Sequence, residues 1–174
     1  RSPYLISSAD FVACHNPSYV RQYDMVKNLK DGGVFLLNCQ WDMQGLEENL
    51  PASMKRALAV KHARFYTINA IDIARNLGLG NRTNTILQAS FFKLSGVIPI
   101  DQAVTEMKDA IYKSYFKKKG QAVVDMNNAS IDHGLNELVE IQIPESWATA
   151  EDAAKEDNSP DFIKEVVSVM NRQE

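Results

Sequence analysis

Three short runs of apolar and β-branched residues constrain the fold of this chain more than any other feature of its sequence. They occupy residues 11–14, 34–37 and 65–68, and none shows the regular polar–apolar alternation of a strand with one face in water. Strands buried on both faces have this composition, because helices cover both sides of a parallel sheet. The runs therefore predict three parallel, adjacent strands in one sheet, and residues 4–6 are a candidate for a further strand.

Helical patterns separate these runs. Four residues at helical spacing follow the first run and predict a helix that ends before the glycine pair at 32–33: Tyr19, Tyr23, Val26 and Leu29. Residues 46–50 and 53–62 predict the next crossover, and residues 70–77 predict another. Strands that alternate with helices predict an α/β, Rossmann-like fold with a mostly parallel sheet and helices on both faces.

The second half of the chain is rich in helix. Residues 85–94, 102–116 and 121–138 have helical patterns, and residues 139–143 predict one last strand. We expect one α/β domain over residues 1–144. An acidic, alanine-rich linker is predicted over residues 145–160, and residues 162–170 have the pattern of a short amphipathic helix that leads into another domain.

Composition excludes several function classes. The formal net charge is −3 and the isoelectric point is about 5.7, so neither nucleic acid nor an acidic membrane surface is an expected partner. No apolar run approaches the roughly 20 residues that span a bilayer. Cys14 and Cys39 lack CxxC spacing and predict two buried, reduced thiols rather than a disulfide framework or a metal site. We therefore expect a reducing, cytoplasmic setting.

Polar residues follow the predicted strands, at the sheet edge where ligands bind in open parallel sheets. They are His15 and Asn16, then Asn38, and then Asn69. Asparagine and histidine are equally suited to turns and helix caps, so both interpretations stay open for each residue.

The segment GLGNRTN at residues 78–84 joins two predicted helices. Its glycines allow positive φ, and Asn81 or Thr83 suits the cap of the next helix. Free N–H groups in the first helical turn, beside Arg82, would suit a phosphate. The pattern equally fits a plain turn between helices.

Asn127 shares the apolar face of its predicted helix with Val123 and Ile131. A buried polar side chain must find partners, which are either backbone groups or a ligand. No arrangement of histidine, serine, cysteine or carboxylates in the sequence predicts a catalytic centre.

Six motifs in order give the chain a specific family resemblance. They are RSPYLI at residues 1–6, ADFVACHN at 9–16, GVFLLN at 33–38, FYTI at 65–68, GLGNRTN at 78–84 and FFKL at 91–94. Together they resemble the gamma-type, or third, domain of single-chain pyruvate:ferredoxin (flavodoxin) oxidoreductases, over residues 1 to about 154.

The resemblance implies a parent enzyme that decarboxylates pyruvate on thiamine diphosphate with Mg, passes electrons through [4Fe-4S] clusters to ferredoxin or flavodoxin, and releases acetyl-CoA. It implies that this domain helps to bind coenzyme A through Asn84 and Asn127. Arg82 is added as a phosphate partner on the physical argument above. The other domains of a homodimeric parent are the implied partners.

The family places a glycine-rich coenzyme A loop and a lysine upstream of the SPY motif, and this sequence begins after them. We therefore expect a domain that is incomplete at its N-terminus, holds part of the coenzyme A site, leads toward a ferredoxin-type domain and has no activity alone. Two alternatives are a free-standing phosphoester enzyme that uses His15 or Asp10, and a module whose only role is packing between domains.

Overall fold

A computed structural model describes residues 9–151 and contains one four-stranded sheet. The strands are β1 (Ala9–Cys14), β2 (Leu29–Asn38), β3 (Arg64–Ile68) and β4 (Val139–Ile141), in that spatial order. The first three pair in parallel and β4 pairs antiparallel with β3. The predicted parallel strands are therefore confirmed, whereas residues 4–6 lie outside the described part of the chain.

Residues 9–151 also form six α-helices and two 3₁₀-helices. The α-helices are α1 (Met43–Asn49), α2 (Ala52–Val60), α3 (Ala70–Asn76), α4 (Asn84–Ser95), α5 (Ile100–Lys119) and α6 (Gln121–Asn136), and the 3₁₀-helices are Pro17–Arg21 and Glu145–Thr149. The described part of the chain contains no helix that is long and apolar enough to cross a membrane.

Residues of β2 alternate between two hydrophobic clusters, because successive side chains of a strand point to opposite faces. Phe35 and Leu37 pack with α1, α2 and both 3₁₀-helices, whereas Leu36 packs with α3 and α4. A third cluster lies between α4, α5 and α6. The predicted α/β fold, with helices on both faces and a helix-rich second half, is confirmed.

The first predicted helix is wrong. Tyr19 lies in the 3₁₀-helix that Pro17 begins, the chain then turns, and Leu29 already belongs to β2. The four residues at helical spacing are buried or half-buried, so the pattern predicted their burial correctly and their helical conformation incorrectly. Pairing with the neighbouring strand, rather than helical spacing, determines the conformation from Leu29 onward. The register between β1 and β2 shifts in this region, and Gly32, at φ +74°, donates its N–H to Lys61 O at 2.7 Å.

The start of the predicted linker is also packed structure. Trp147 is 1% exposed and lies 6.4 Å from Phe65, centroid to centroid. The guanidinium of Arg56, in α2, donates to Ala150 O. This hydrogen bond holds the residues after Trp147 against α2. The packed region therefore extends past residue 144, because burying one tryptophan outweighs the polar composition around it. Residues 152–174, with the predicted helix at 162–170, lie outside the described residues.

Candidate functional site

The carboxyl ends of β1, β2 and β3 share one edge of the sheet, and Asn38 ties this edge together. Its side chain is 2% exposed; Nδ2 donates to His15 O at 3.0 Å, and Oδ1 accepts from Ala70 N at 3.0 Å. One amide thus joins the residue after β1, the end of β2 and the start of α3. This network orients the ends of the three elements relative to one another.

Two further asparagines at this edge form helix caps. Asn16 Oδ1 accepts from Ser18 N at 3.0 Å and from Ser18 Oγ at 2.9 Å. Asn69 Oδ1 accepts from Asp72 N at 3.1 Å, and its Nδ2 donates to Asp72 Oδ2 at 2.8 Å. The structural interpretation of these side chains is therefore confirmed.

The loop before α4 has the backbone that its glycines predicted. Gly78 and Gly80 have φ of +85° and +66°, and Leu79 between them is buried. Thr83 occupies the N-cap position of α4, and no side-chain hydrogen bond of its own caps the helix. The first N–H groups of α4 are therefore not engaged by this cap.

Arg82 and Asn84 are exposed on either side of that N-cap. Arg82 Nε donates to Leu79 O at 3.2 Å, which fixes the base of the side chain at the loop. Its two terminal guanidinium nitrogens have no hydrogen-bond partner among the described residues. Asn84 is the first residue of α4.

A cavity of about 250 Å³ lies where the sheet edge meets this loop. Seven residues line it: His15, Asn16, Pro17, Asn38, Ile71, Asn81 and Thr83. The structure therefore brings together strand-end residues and loop residues that lie 43 to 68 positions apart in sequence. Arg82, Asn84 and Asn127 are not among the described residues that line it.

Asn127 lies in α6 and is 5% exposed. Its Nδ2 donates to Val123 O, one helical turn earlier, at 2.9 Å. A backbone partner of this kind was one of the two alternatives that the sequence left open. Its convergence with Asn84 on one crevice remains a prediction.

Two contacts hold α4 and the loop before it against α6. A Cβ at Gly78, before α4, would lie 3.7 Å from Met126 Cε, and Ser90 Oγ in α4 donates to Gly134 O at 2.7 Å. The loop that precedes α4 therefore lies beside Met126, the neighbour of Asn127 in α6.

His15 and Asp10 lie at opposite ends of β1. Asp10 is near the start of the strand and pairs with Lys30 at 3.4 Å, whereas His15 follows its last residue. Five steps along the strand, or about 16 Å, separate their Cα atoms, so only His15 lies at the sheet edge described above. No cluster of three or more potential metal ligands occurs in residues 9–151.

Both cysteines are buried and free, as predicted. Burial raises the pKa of the Cys14 thiol to about 11, and a hydrogen bond to Asn16 O only partly opposes this. Burial also raises the pKa of Cys39. Neither thiol is therefore suited to act as a nucleophile.

The sequence reasoning considered Asn81 and Thr83 only as helix caps and did not foresee the cavity. Neither Asn81 nor Thr83 makes a side-chain hydrogen bond in the described structure. The signal available in the sequence was the pair of glycines around Leu79, which turns this loop toward the sheet edge.

A family model described as pyruvate ferredoxin/flavodoxin oxidoreductase matches residues 1–137. The chain belongs to this family.

Relatives within the pyruvate ferredoxin/flavodoxin oxidoreductase family are identical to the chain at close to half of the aligned positions. It is 47% identical over 175 residues to pyruvate-flavodoxin oxidoreductase of Enterobacter agglomerans, covering 100% of this chain and 15% of that protein. It is 47% identical over 173 residues to pyruvate:ferredoxin oxidoreductase of Moorella thermoacetica, covering 98% and 15%. The chain thus spans about a seventh of the length of these relatives.

A solved structure supports the fold. Pyruvate oxidoreductase subunit PORC of Thermotoga maritima superposes with a TM-score of 0.61 at 18% identity, covering 79% of this chain and 67% of that one. At this identity the likeness establishes the α/β architecture that the family shares.

Proposed function

We propose that this chain is a coenzyme A-binding domain of a pyruvate:ferredoxin or pyruvate:flavodoxin oxidoreductase. The parent enzyme would decarboxylate pyruvate oxidatively to acetyl-CoA and CO₂ and pass the electrons to ferredoxin or flavodoxin. Thiamine diphosphate, Mg and [4Fe-4S] clusters would supply the decarboxylation and electron transfer from other domains. We also propose that the parent enzyme is a homodimer in the cytoplasm.

The observation that carries this proposal is the open start of α4. Thr83 leaves the first N–H groups of the helix without a side-chain cap, and the terminal nitrogens of the adjacent Arg82 have no hydrogen-bond partner within residues 9–151. Free N–H groups at the positive end of a helix and an adjacent guanidinium are suited to a diphosphate. Asn84 would donate its amide to the same group.

Asn127 would serve a different part of the ligand. One N–H of its Nδ2 is donated to Val123 O, and no other side-chain hydrogen bond of Asn127 occurs among the described residues, so Oδ1 is an acceptor that it can offer. An acceptor of this kind suits an N–H donor, such as the amides of the pantetheine arm. The proximity of Gly78, before α4, to Met126, beside Asn127 in α6, supports a shared crevice for the two asparagines.

None of these residues would react chemically. Arg82, Asn84 and Asn127 would bind and orient coenzyme A, so that its thiol reaches the acyl group formed elsewhere in the enzyme. The chain alone is therefore expected to lack pyruvate-dependent electron transfer.

Alanine substitutions in the full-length enzyme test this proposal. Asn84→Ala should raise the KM for coenzyme A by the value of one hydrogen bond, about 0.5–1.5 kcal/mol for a neutral partner and about 1.5–3 kcal/mol for a phosphate. Arg82→Ala should act in the same direction, with an effect that shrinks as salt rises. The KM for pyruvate should stay unchanged.

A packing module of the same enzyme is the second candidate, and the bond from Asn127 to Val123 O favours it. On that view Asn127→Ala lowers the melting temperature and leaves the KM for coenzyme A unchanged. Stability losses with an unchanged KM in all three variants would contradict coenzyme A binding.

A further inference from the structure

The cavity at the sheet edge has polar groups that the domain itself does not use. The side chains of His15, Asn81 and Thr83 line it, and none of them makes a hydrogen bond to another described residue. They come from two different segments, the end of β1 and the loop before α4. Unpaired polar groups that converge on one cavity are typical of a ligand site.

The chemistry of the lining argues against a phosphate in this cavity. None of its seven described lining residues is Lys, Arg, Asp or Glu, and Pro17 and Ile71 contribute apolar walls. Whole small-molecule pockets usually measure about 300–1,000 Å³, so a cavity of about 250 Å³ suits one part of a larger ligand. A flat, uncharged heterocycle with donors and acceptors on its edge fits these properties.

Two side chains are suited to such a ring. Asn81 is exposed and carries an acceptor and a donor side by side, the pairing that an asparagine amide offers to N6 and N7 of adenine. The His15 ring packs edge-on against Tyr19 at 5.3 Å between centroids, which limits its rotation. An imidazole restrained in this way can stack on a base.

The cavity adjoins the proposed diphosphate site, since Asn81 and Thr83 flank Arg82 in sequence. We propose that it binds the adenine ring of coenzyme A, with Asn81 reading the edge of the base and His15 lying against its face. This inference rests on the proposed function and adds residues and a ligand group to it.

The experiment uses the full-length enzyme and three acyl acceptors. Coenzyme A carries adenine, 1,N6-etheno-coenzyme A carries a blocked N6 edge, and pantetheine 4′-phosphate has the same thiol arm without adenosine. The variants are Asn81→Ala and His15→Ala, with Asn136→Ala as a matched control at the exposed end of α6. Because His15 and Asn81 are exposed, we expect unchanged melting temperatures.

Asn81→Ala should raise the KM for coenzyme A about 2- to 12-fold, the equivalent of one hydrogen bond. With the unmodified enzyme the etheno compound should have a higher KM than coenzyme A. Asn81→Ala should raise the KM for the etheno compound less than it raises the KM for coenzyme A, because only the contact to N7 is left to lose. His15→Ala should raise the KM for both adenine-bearing acceptors. The KM for pantetheine 4′-phosphate should be the same in all variants.

The outcomes separate the two proposals. If Asn84→Ala raises the KM for coenzyme A and the His15 and Asn81 variants do not, the adenine assignment is wrong and coenzyme A binding stands. Equal rises for pantetheine 4′-phosphate and coenzyme A also overturn the adenine assignment. An unchanged KM in the His15, Asn81, Arg82, Asn84 and Asn127 variants overturns both.

Discussion

Replacement of Asn38 by alanine tests whether one buried amide holds the sheet edge together. The substitution removes the acceptor of Ala70 N and the donor to His15 O, both at 3.0 Å. An N–H left unpaired in a buried position costs about 1–3 kcal/mol, and Ala70 is fully buried. His15 is exposed, so water can replace its lost partner and only about 0.5–1.5 kcal/mol is forfeited there.

The two contributions predict a loss of about 1.5–4.5 kcal/mol in the free energy of unfolding. For a chain of this length the melting temperature should fall by about 10 °C. Urea unfolding of the purified chain measures the loss directly, and the fluorescence of the buried Trp147 provides the signal. Asn136→Ala, at an exposed position, should change the free energy by less than about 0.5 kcal/mol.

Asn38→Asp sharpens the test, because it keeps the acceptor for Ala70 N and faces His15 O with a carboxyl group. Burial and the facing carbonyl should raise the pKa of this group in the folded state, since its protonated form can donate to His15 O. The variant should therefore lose stability relative to the wild type as pH rises from the usual aspartate pKa through the raised one. A loss below about 0.5 kcal/mol for Asn38→Ala would refute the argument.

Two further substitutions test backbone geometry. Gly134→Ala should destabilise the chain by about 1–3 kcal/mol, because the new Cβ would lie 2.4 Å from Ile86 O. Helix propensity alone would give a gain in stability of about 1 kcal/mol, and such a gain would contradict the close approach of α4 and α6. His62→Gly should stabilise the chain by about 0.5–1 kcal/mol, because glycine adopts the φ of +51° at this position without the strain that a Cβ causes. His62→Ala keeps the Cβ and should bring no gain. Equal effects of the two substitutions in urea unfolding would exclude backbone strain as the cause.

Local sequence determined the elements whose patterns have a single interpretation. The apolar runs of β1, β2 and β3 specify buried parallel strands, because no other short element leaves both faces apolar. The helices α2 to α6 likewise follow from apolar spacing. The turns at Gly78 and Gly80 follow from the ability of glycine to adopt positive φ. These signals act over a few residues, and the family motifs reinforced them.

Tertiary structure decided what depends on partners distant in the chain. Tyr19, Tyr23, Val26 and Leu29 are buried in either conformation, so their spacing could not distinguish a helix from a turn that enters β2. Trp147 occurs in a polar segment, and its burial against Phe65, together with the hydrogen bond from Arg56 to Ala150 O, makes that segment part of the domain.

The candidate site shows the same division. The sequence marked Asn84, Asn127 and Arg82 by their local settings, and it marked His15 and Asn81 only as residues at a strand end and in a turn. The meeting of His15 and Asn81 around one cavity required the sheet edge and the α4 loop to be brought together. Packing of α4 against α6 and the hydrogen bonds of Asn38 place these elements, and such long-range contacts leave no pattern within either segment.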